Sequence, residues 1–470
     1  MLTAITLFAY LAVLLGIGVW TRERIGDSSD FHLAGRRMGP VVAGLSASAS
    51  SASAWALLGV SGAAYQWGLQ AVWLIPAVLS GFLINWCFIA PRLQPASRDS
   101  QALTLLEFLG QGADRGADRG AERRLRRVGA VIILFCFTLY VASQFQAAGT
   151  AIDSALPIGS GTAILIGAAI VIAYVFLGGF WAASVTDAVQ GLMMLAVAVI
   201  LPVTAFIVVG GQDGLWQGLQ ALDEPGLLRL VDQPDLLMAI VFVAGLFGIG
   251  LAYPGQPHVV NRFMALESAT QIRFARAIAL TWACLVFSGM VLLGLCGRVL
   301  LPEIDDPESI VLGLSSELLP ALLSGIISGG VLAAIMSTSD SQLLVAGSAV
   351  SHDLRDGRFS LRIDRAVILV IGVLAAIMAL YFPESIYDRV LFAWLALGNA
   401  FGPLLIVLLF FGPVAARYRM AALLTGFTLT VILNFLPEAP GNALARLLPF
   451  FIALGIAWQG WRSHNKTRPE

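Results

Sequence analysis

The sequence predicts an all-α polytopic membrane protein of about thirteen transmembrane helices, and three observations carry that prediction. Of its 470 residues, 58% are hydrophobic and only 12% charged, with a mean hydropathy of +0.84, outside the range of soluble domains. Apolar runs recur along the whole chain, each long enough to cross roughly 30 Å of hydrocarbon as a helix. The arginines are concentrated in alternate connections, the distribution that membrane insertion selects.

In chain order the spans are read at 4–21, 40–63, 70–91, 128–150, 158–177, 181–209, 236–254, 274–297, 319–347, 366–382, 386–412, 418–436 and 444–462. The first lacks a basic leader and a small-residue cleavage site, so it is read as a retained helix and not as a signal peptide. Connections after odd-numbered spans hold Arg22, Arg24, Arg36 and Arg37, a dense set from Arg98 to Arg127, then Arg262, Arg273, Arg355, Arg358, Arg362, Arg417 and Arg419. Connections after even-numbered spans are acidic or neutral, with Asp153, Asp213, Glu224, Asp232, Glu303, Asp305, Asp306, Glu308 and Glu384. The positive-inside rule places the odd connections and the tail, 463–470, in the cytoplasm and the N-terminus outside, in a bacterial-type plasma membrane. The basic cytoplasmic loop, 93–127, contains GADRGADRGAERR and reads as a solvated collar beside anionic lipid. Outer connections at 210–235 and 299–318 have room for short interfacial helices but not for domains. Cys87, Cys136, Cys284 and Cys296 lie singly in apolar runs, and the four histidines are scattered, so no disulfide, zinc or haem spacing exists.

Three features point to function. The stretch GLSASASSASAW, Gly44 to Trp55, crowds hydroxyls into the second span. It reads either as a small-residue packing face or as a discontinuous helix whose unwound carbonyls and hydroxyls offer oxygen ligands to a small cation. GIGLAYPGQPH, Gly248 to His258, puts three glycines and two prolines at the end of the seventh span, where the helix must break or stop. Interruptions at corresponding places in two halves mark transporter sites, and a helix end at the break would offer amides to a substrate carboxylate. Asp187 lies inside the sixth span and Asp340 inside the ninth; a buried carboxylate must be paired or coordinate a cation. No lysine or arginine is read at membrane depth, so a cation from solution is expected to fill that gap. Beside Asp340 stand Ser337, Thr338, Ser339 and Ser341, and oxygen-only ligands suit a hard cation such as Na+.

These motifs resemble the sodium/solute symporter family, most closely its sodium/proline branch. The resemblance runs nearly end to end, through FHLAGRRMGP, GLSASASSASAW, ALTLLEFL, FTLYVAS, FLGGFWAASVTDAVQ, AYPGQPHVVNRFMA, AAIMSTSDSQLL and the FGP at 401–403. It implies a LeuT-like 5+5 inverted repeat formed by spans 2–6 and 7–11, with residues 1–470 as a single transmembrane transporter domain. It implies a sodium site at the carbonyls of Ala49, Ala52 and Ala334 and the hydroxyls of Ser337 and Thr338. A substrate site is implied at Ser53, Trp55, Tyr140, Tyr253, Gln256 and Pro257, whose aromatic walls and few polar groups suit a small, partly apolar solute. Two positions depart from the branch: Ser51 stands where it carries an aspartate, and Ile249 where it carries a tryptophan. Asp340 stands where the branch is uncharged, so Asp187, Asp340 and Ser341 are read as a possible second sodium set, as in related sialic-acid symporters.

The function expected is sodium-coupled import of a small organic solute, proline or a related amino acid, by alternating access. A sodium symporter for an organic acid, sugar or sialic acid is the alternative, followed by a transporter-like sensor or a passive channel. No nucleophile, base and oxyanion set converges, so an enzyme is not expected. Sodium, a small-molecule substrate and the bilayer are the partners implied; nothing points to nucleic acid or to an oligomeric state.

Overall fold

The computed structural model describes residues 33–111, 119–177, 179–355, 360–436 and 440–466, together with Gly16. Its long helices are α1 (Pro40–Ala54), α2 (Val60–Trp67), α3 (Leu74–Leu83), α4 (Ala90–Ser100), α5 (Leu105–Gly110), α6 (Arg119–Ala155), α7 (Ser160–Leu177), α8 (Phe180–Val208), α9 (Leu236–Leu251), α10 (Pro257–Ala265), α11 (Ile272–Leu300), α12 (Ala321–Ser348), α13 (Leu361–Tyr381), α14 (Ile386–Phe410), α15 (Ala416–Asn434) and α16 (Ala443–Lys466). Two shorter outer helices, Gly211–Ala221 and Ile310–Leu318, lie in the connections with room for them. Among the described residues the single strand-like feature is an isolated bridge between Met38 and Leu266.

Every sequence-predicted span from 40–63 to 444–462 coincides with helix. The first, 4–21, lies outside the described residues, as does most of the GADRGADRG repeat. Nine helical runs among the described residues are long and apolar enough to cross a membrane. One of them, Pro40–Ser100, has 61 residues, roughly 90 Å as continuous helix and so enough for two crossings. It reverses at Gly68, whose φ is +62° and where a Cβ would lie 2.5 Å from the Cα of Leu227. The stretch read as a basic loop at 93–127 is largely helical, being taken up by α4, α5 and the first turns of α6.

The hydroxyl-rich stretch is both a small-residue packing face and an interrupted helix. Its small side chains let neighbours approach: a Cβ on Gly44 would lie 2.8 Å from the carbonyl of Ala275 in α11, and one on Gly191 of α8 would lie 3.3 Å from the carbonyl of Leu45. Serine hydroxyls bond back to their own turn, Ser48 to Gly44 O (2.8 Å) and Ser51 to Ser48 O (3.0 Å), which keeps a polar run dry without partners elsewhere. The helix also breaks within it, at Ser53 (φ +57°, ψ −172°), before resuming as a π turn at Trp55–Gly59.

The seventh span needs correction. It was expected to end at 254, leaving a connection to 274; instead α9 breaks at Tyr253–Gly255 and continues as α10, all nine residues of which are buried. Pro257 occupies the first helical position, where its missing N–H costs nothing and its fixed φ favours a restart. The apolar run itself ends at Gly255, close to the expected bound, and the PGQP segment is an interruption after which a buried helix resumes.

Candidate sodium and substrate site

Helix α10, which follows the second break, packs against α1, and α8, α11 and α12 are packed around α1 as well. Where α1 meets α12, Ser337 Oγ donates to Ala49 O (3.3 Å) and to Ala334 O (3.1 Å), and Thr338 Oγ1 donates to Ser50 O (3.1 Å). Ala49, Ala334 and Ser337 are thus brought together, with Thr338 on the adjacent carbonyl. The carbonyl of Ala52, just before the break, accepts the amide of Trp55. All five are buried oxygens without a fixed charge among them, a donor set matched to a hard monovalent ion. In the geometry described, the two hydroxyl protons hold the carbonyls that a cation would otherwise hold.

One turn away lies a charged cluster that overturns a sequence expectation. Asp187 is fully buried in α8, and its Oδ2 accepts from Ser46 Oγ (2.7 Å), Ser50 Oγ (3.0 Å) and Arg262 Nη2 (2.8 Å). An arginine therefore does reach membrane depth, contrary to the reading that none is available. Arg262 was assigned to a connection, but α10 carries it inward, and its side chain is as buried as that of Asp187. Its Nε donates to Ser46 Oγ (3.0 Å), Nη1 to the carbonyl of His258, and Nη2 also to Ser341 Oγ. Asp340 borders the same cluster: its Oδ1 accepts from Ser341 Oγ (3.1 Å), and the hydroxyls of Ser341 and Ser50 are 3.2 Å apart. Asp187 Oδ1 and Asp340 Oδ2 are buried with no hydrogen-bond partner. Two carboxyl groups meet one guanidinium in a dry site, so the second carboxyl must either carry a proton or meet a further cation.

The residues expected to hold substrate lie at and around the two breaks. Tyr140 Oη donates to Ser53 Oγ (3.2 Å), which also accepts the amide of Trp55 (3.1 Å). Tyr253 stands edge-on to Trp394 with ring centroids 4.6 Å apart and packs on Phe82 at 5.1 Å. Gln256 Nε2 donates to Trp394 O (2.7 Å) and Ala252 O (3.1 Å), and Ile249 O accepts from the Trp394 indole (3.1 Å). Ser51 turns its hydroxyl back to its own helix, and Pro257 starts α10. Trp55 packs between Tyr387 (5.7 Å) and Phe287 (6.1 Å).

Three further residues belong here. Gln144 Oε1 accepts the amide of Ala54 (3.1 Å), satisfying a donor that the break frees; it follows Tyr140 by one helical turn, a spacing visible in the sequence. His258 follows Pro257 directly, and its ring lies 5.4 Å from Phe137 and 6.2 Å from Trp394. Trp394 carried no local signal, because it sits in an apolar helix like any core tryptophan. Trp55 Nε1, Gln144 Nε2, Gln256 Oε1 and both ring nitrogens of His258 are buried without hydrogen-bond partners.

On the arginine-rich face, described residues distant in sequence are tied together by ion pairs and hydrogen bonds. Arg126 Nε pairs with Asp353 (3.0 Å), which also accepts from Thr104 Oγ1 (2.9 Å), and Arg126 Nη2 donates to His352 O (2.9 Å). His352 Nε2 meets Glu107 Oε2 at 3.1 Å, and Arg419 donates to the carbonyl of Gly110. On the opposite face a cavity of 570 Å³ opens between α2, the Pro307–Ser309 turn and the start of α14. There Glu308 accepts the amides of Ile386 (2.9 Å) and Tyr387 (2.7 Å), capping α14.

Two broken helices beside a nest of buried oxygens define an ion-coupled secondary transporter of the alternating-access class. The chain belongs to the sodium:solute symporter family, whose description matches residues 31–426. It is 33% identical over 466 residues to the osmoregulated proline transporter OpuE of Bacillus subtilis (strain 168), covering 96% of this chain and 93% of that protein. The sodium/proline symporter of Escherichia coli (strain K12) is 32% identical over 452 residues, 92% of this chain and 87% of that one. Among solved structures, a Na+-coupled sialic acid symporter in a substrate-bound, outward-open state matches with a TM-score of 0.80 at 17% identity, over 100% of this chain and 98% of that one. The transporter MhsT with bound L-phenylalanine matches at 0.52 and 16% identity, over 91% and 98% of the two chains. The fold is accordingly LeuT-like. The protein is a multi-pass plasma-membrane symporter of a small solute, sodium is its coupling ion, and it is not an enzyme.

Proposed function

We propose that this chain imports proline, or a related small amino acid, together with sodium. The observation that carries the reading is the set of buried aromatic rings at and around the two breaks, Trp55, Tyr140, Tyr253 and Trp394. Such surroundings suit a compact solute with one apolar face and a charged backbone group. The proline transporters among its relatives support the same class. Ser51 and Ile249 are then the positions that tune specificity.

The first sodium binds at Ala49, Ala52, Ala334, Ser337 and Thr338. By taking the carbonyls from the two hydroxyls it ties α1 to α12 and orders the break that the substrate needs. A second sodium sits between Asp187 Oδ1 and Asp340 Oδ2 with Ser341, where it cancels the excess negative charge that Arg262 leaves. Each ion entering releases about 2.3 kcal/mol per 100 mV, plus about 1.4 kcal/mol per tenfold concentration ratio. The N-terminus lies outside and the tail in the cytoplasm.

Equilibrium binding of labelled proline to the purified full-length protein, titrated with sodium against a potassium control, tests both parts. Sodium-dependent proline binding is expected, with a Hill slope above one that falls to one in Asp340→Asn. Binding indifferent to sodium, or displaced by organic acids and sugars but not by amino acids, overturns the substrate reading. An unchanged slope in Asp340→Asn overturns the second sodium.

A further inference from the structure

We infer, building on the substrate reading above, that Asn85 is a positioning residue for the solute: it holds the second break, and with it the ring of Tyr253, in the shape that binding requires. In a continuous helix the carbonyl of Tyr253 would accept the amide of residue 257, but that residue is proline and has no N–H. The carbonyl is left with the amide of Gln256 at 3.2 Å, in a buried place where a freed backbone group needs protein to satisfy it. Asn85 supplies the missing donor. Its Nδ2 donates to Tyr253 O at 3.2 Å, and the residue is 1% exposed. Only the nitrogen of a carboxamide can pair with a carbonyl, so the orientation of the side chain is fixed by this bond.

The segment that carries Asn85 is moulded to the break. After Leu83 the helix α3 runs on as a π turn over Ile84–Ile89, a local widening that recurs at functional sites. A Cβ on Gly81 would overlap the ring of Tyr253 and lie 2.8 Å from the carbonyl of Gly250, so backbone meets backbone there. Phe82 packs on the Tyr253 ring at 5.1 Å, while Trp86 packs on Phe263 of α10 at 4.7 Å. One segment therefore grips both sides of the break, Tyr253 through Phe82 and Asn85, the resumed helix through Trp86. Apolar packing tolerates small rotations, whereas a hydrogen bond has a direction. Asn85 thus sets the peptide plane at Tyr253 and, through it, where the ring stands.

Hydrogen–deuterium exchange of the purified full-length protein reads the break without any solute, and equilibrium binding of labelled proline in saturating sodium reads the consequence. In Asn85→Leu the peptide carrying 250–258 is expected to exchange faster while the peptide over the α1 break does not, and proline affinity is expected to fall about tenfold, as for a lost buried hydrogen bond. Asn85→Ala, which removes the amide without adding bulk, gives the same two readings if leucine disturbs the π turn. In a Tyr253→Leu background the loss from either substitution is expected to shrink below about twofold, because the ring being positioned is gone; a residue that only stabilised the fold would cost the same with and without it. Unchanged exchange at 250–258, unchanged proline affinity, or equal losses in the two backgrounds overturns the assignment. A parent protein that binds no proline sinks the substrate reading instead, and the exchange measurement still decides whether Asn85 holds the break.

Discussion

Arg262 shows how a single side chain sets the electrostatics of the centre. Removing one partner of a buried pair leaves an uncompensated charge and costs about 3–5 kcal/mol, but the two removals here are not equivalent. Asp187→Asn leaves Arg262 to balance Asp340, whereas Arg262→Met leaves two carboxylates with no cation. Arg262→Met is therefore expected to lower the unfolding midpoint of the detergent-purified protein more than Asp187→Asn, and added sodium to restore part of the loss. Equal losses with no sodium effect would contradict the charge count. At the neighbouring oxygens, Ser337→Ala is expected to weaken apparent sodium affinity about tenfold with little change in that midpoint. The carboxylates and hydroxyls of this region were legible because they interrupt apolar runs. Arg262 was not: it follows two prolines and an amide in a segment that reads as a loop, and only tertiary packing turns it inward.

Helix α10 makes the same point at the level of the element. The glycines and prolines at 248–257 announced an interruption, and the chain does break there; what the pattern cannot convey is that the helix resumes and stays buried. The resumption depends on close approach: a Cβ on Gly255 would lie 2.6 Å from the carbonyl of Gly398 in α14, tighter than any side chain tolerates. Gly255→Ala is expected to push α14 from the break and abolish sodium-dependent binding, while Gly455→Ala in α16, with nothing within 4 Å of its Cβ, serves as a neutral control. The break at Ser53 was half legible. Its serines signalled either packing or unwinding, and the structure uses both, because small residues are what allow three helices to close on an unwound segment.

For the whole molecule the alternation of arginines marked the face on which Arg126 pairs with Asp353 and His352 with Glu107. The network itself was invisible, since its members are distant in sequence. Burial raises the Glu107 carboxyl, but hydrogen bonds from His352 and the Leu103 amide, with the charges of His352 and Arg126, outweigh it and hold the group below its usual value. A carboxyl depressed in the folded state contributes stability above its unfolded value, about 4.3, which is lost as pH falls through the folded one. Acidification is thus expected to lower the unfolding midpoint less steeply in Glu107→Gln than in the parent, measured by thermal denaturation across the acid range. The central claim, that sodium drives solute through this scaffold, is tested most directly by purified protein in liposomes given an inward sodium gradient and labelled proline. Uphill proline accumulation that collapses when sodium is equalised across the membrane is the predicted result; accumulation unaffected by the sodium gradient, or merely downhill flux, would contradict it.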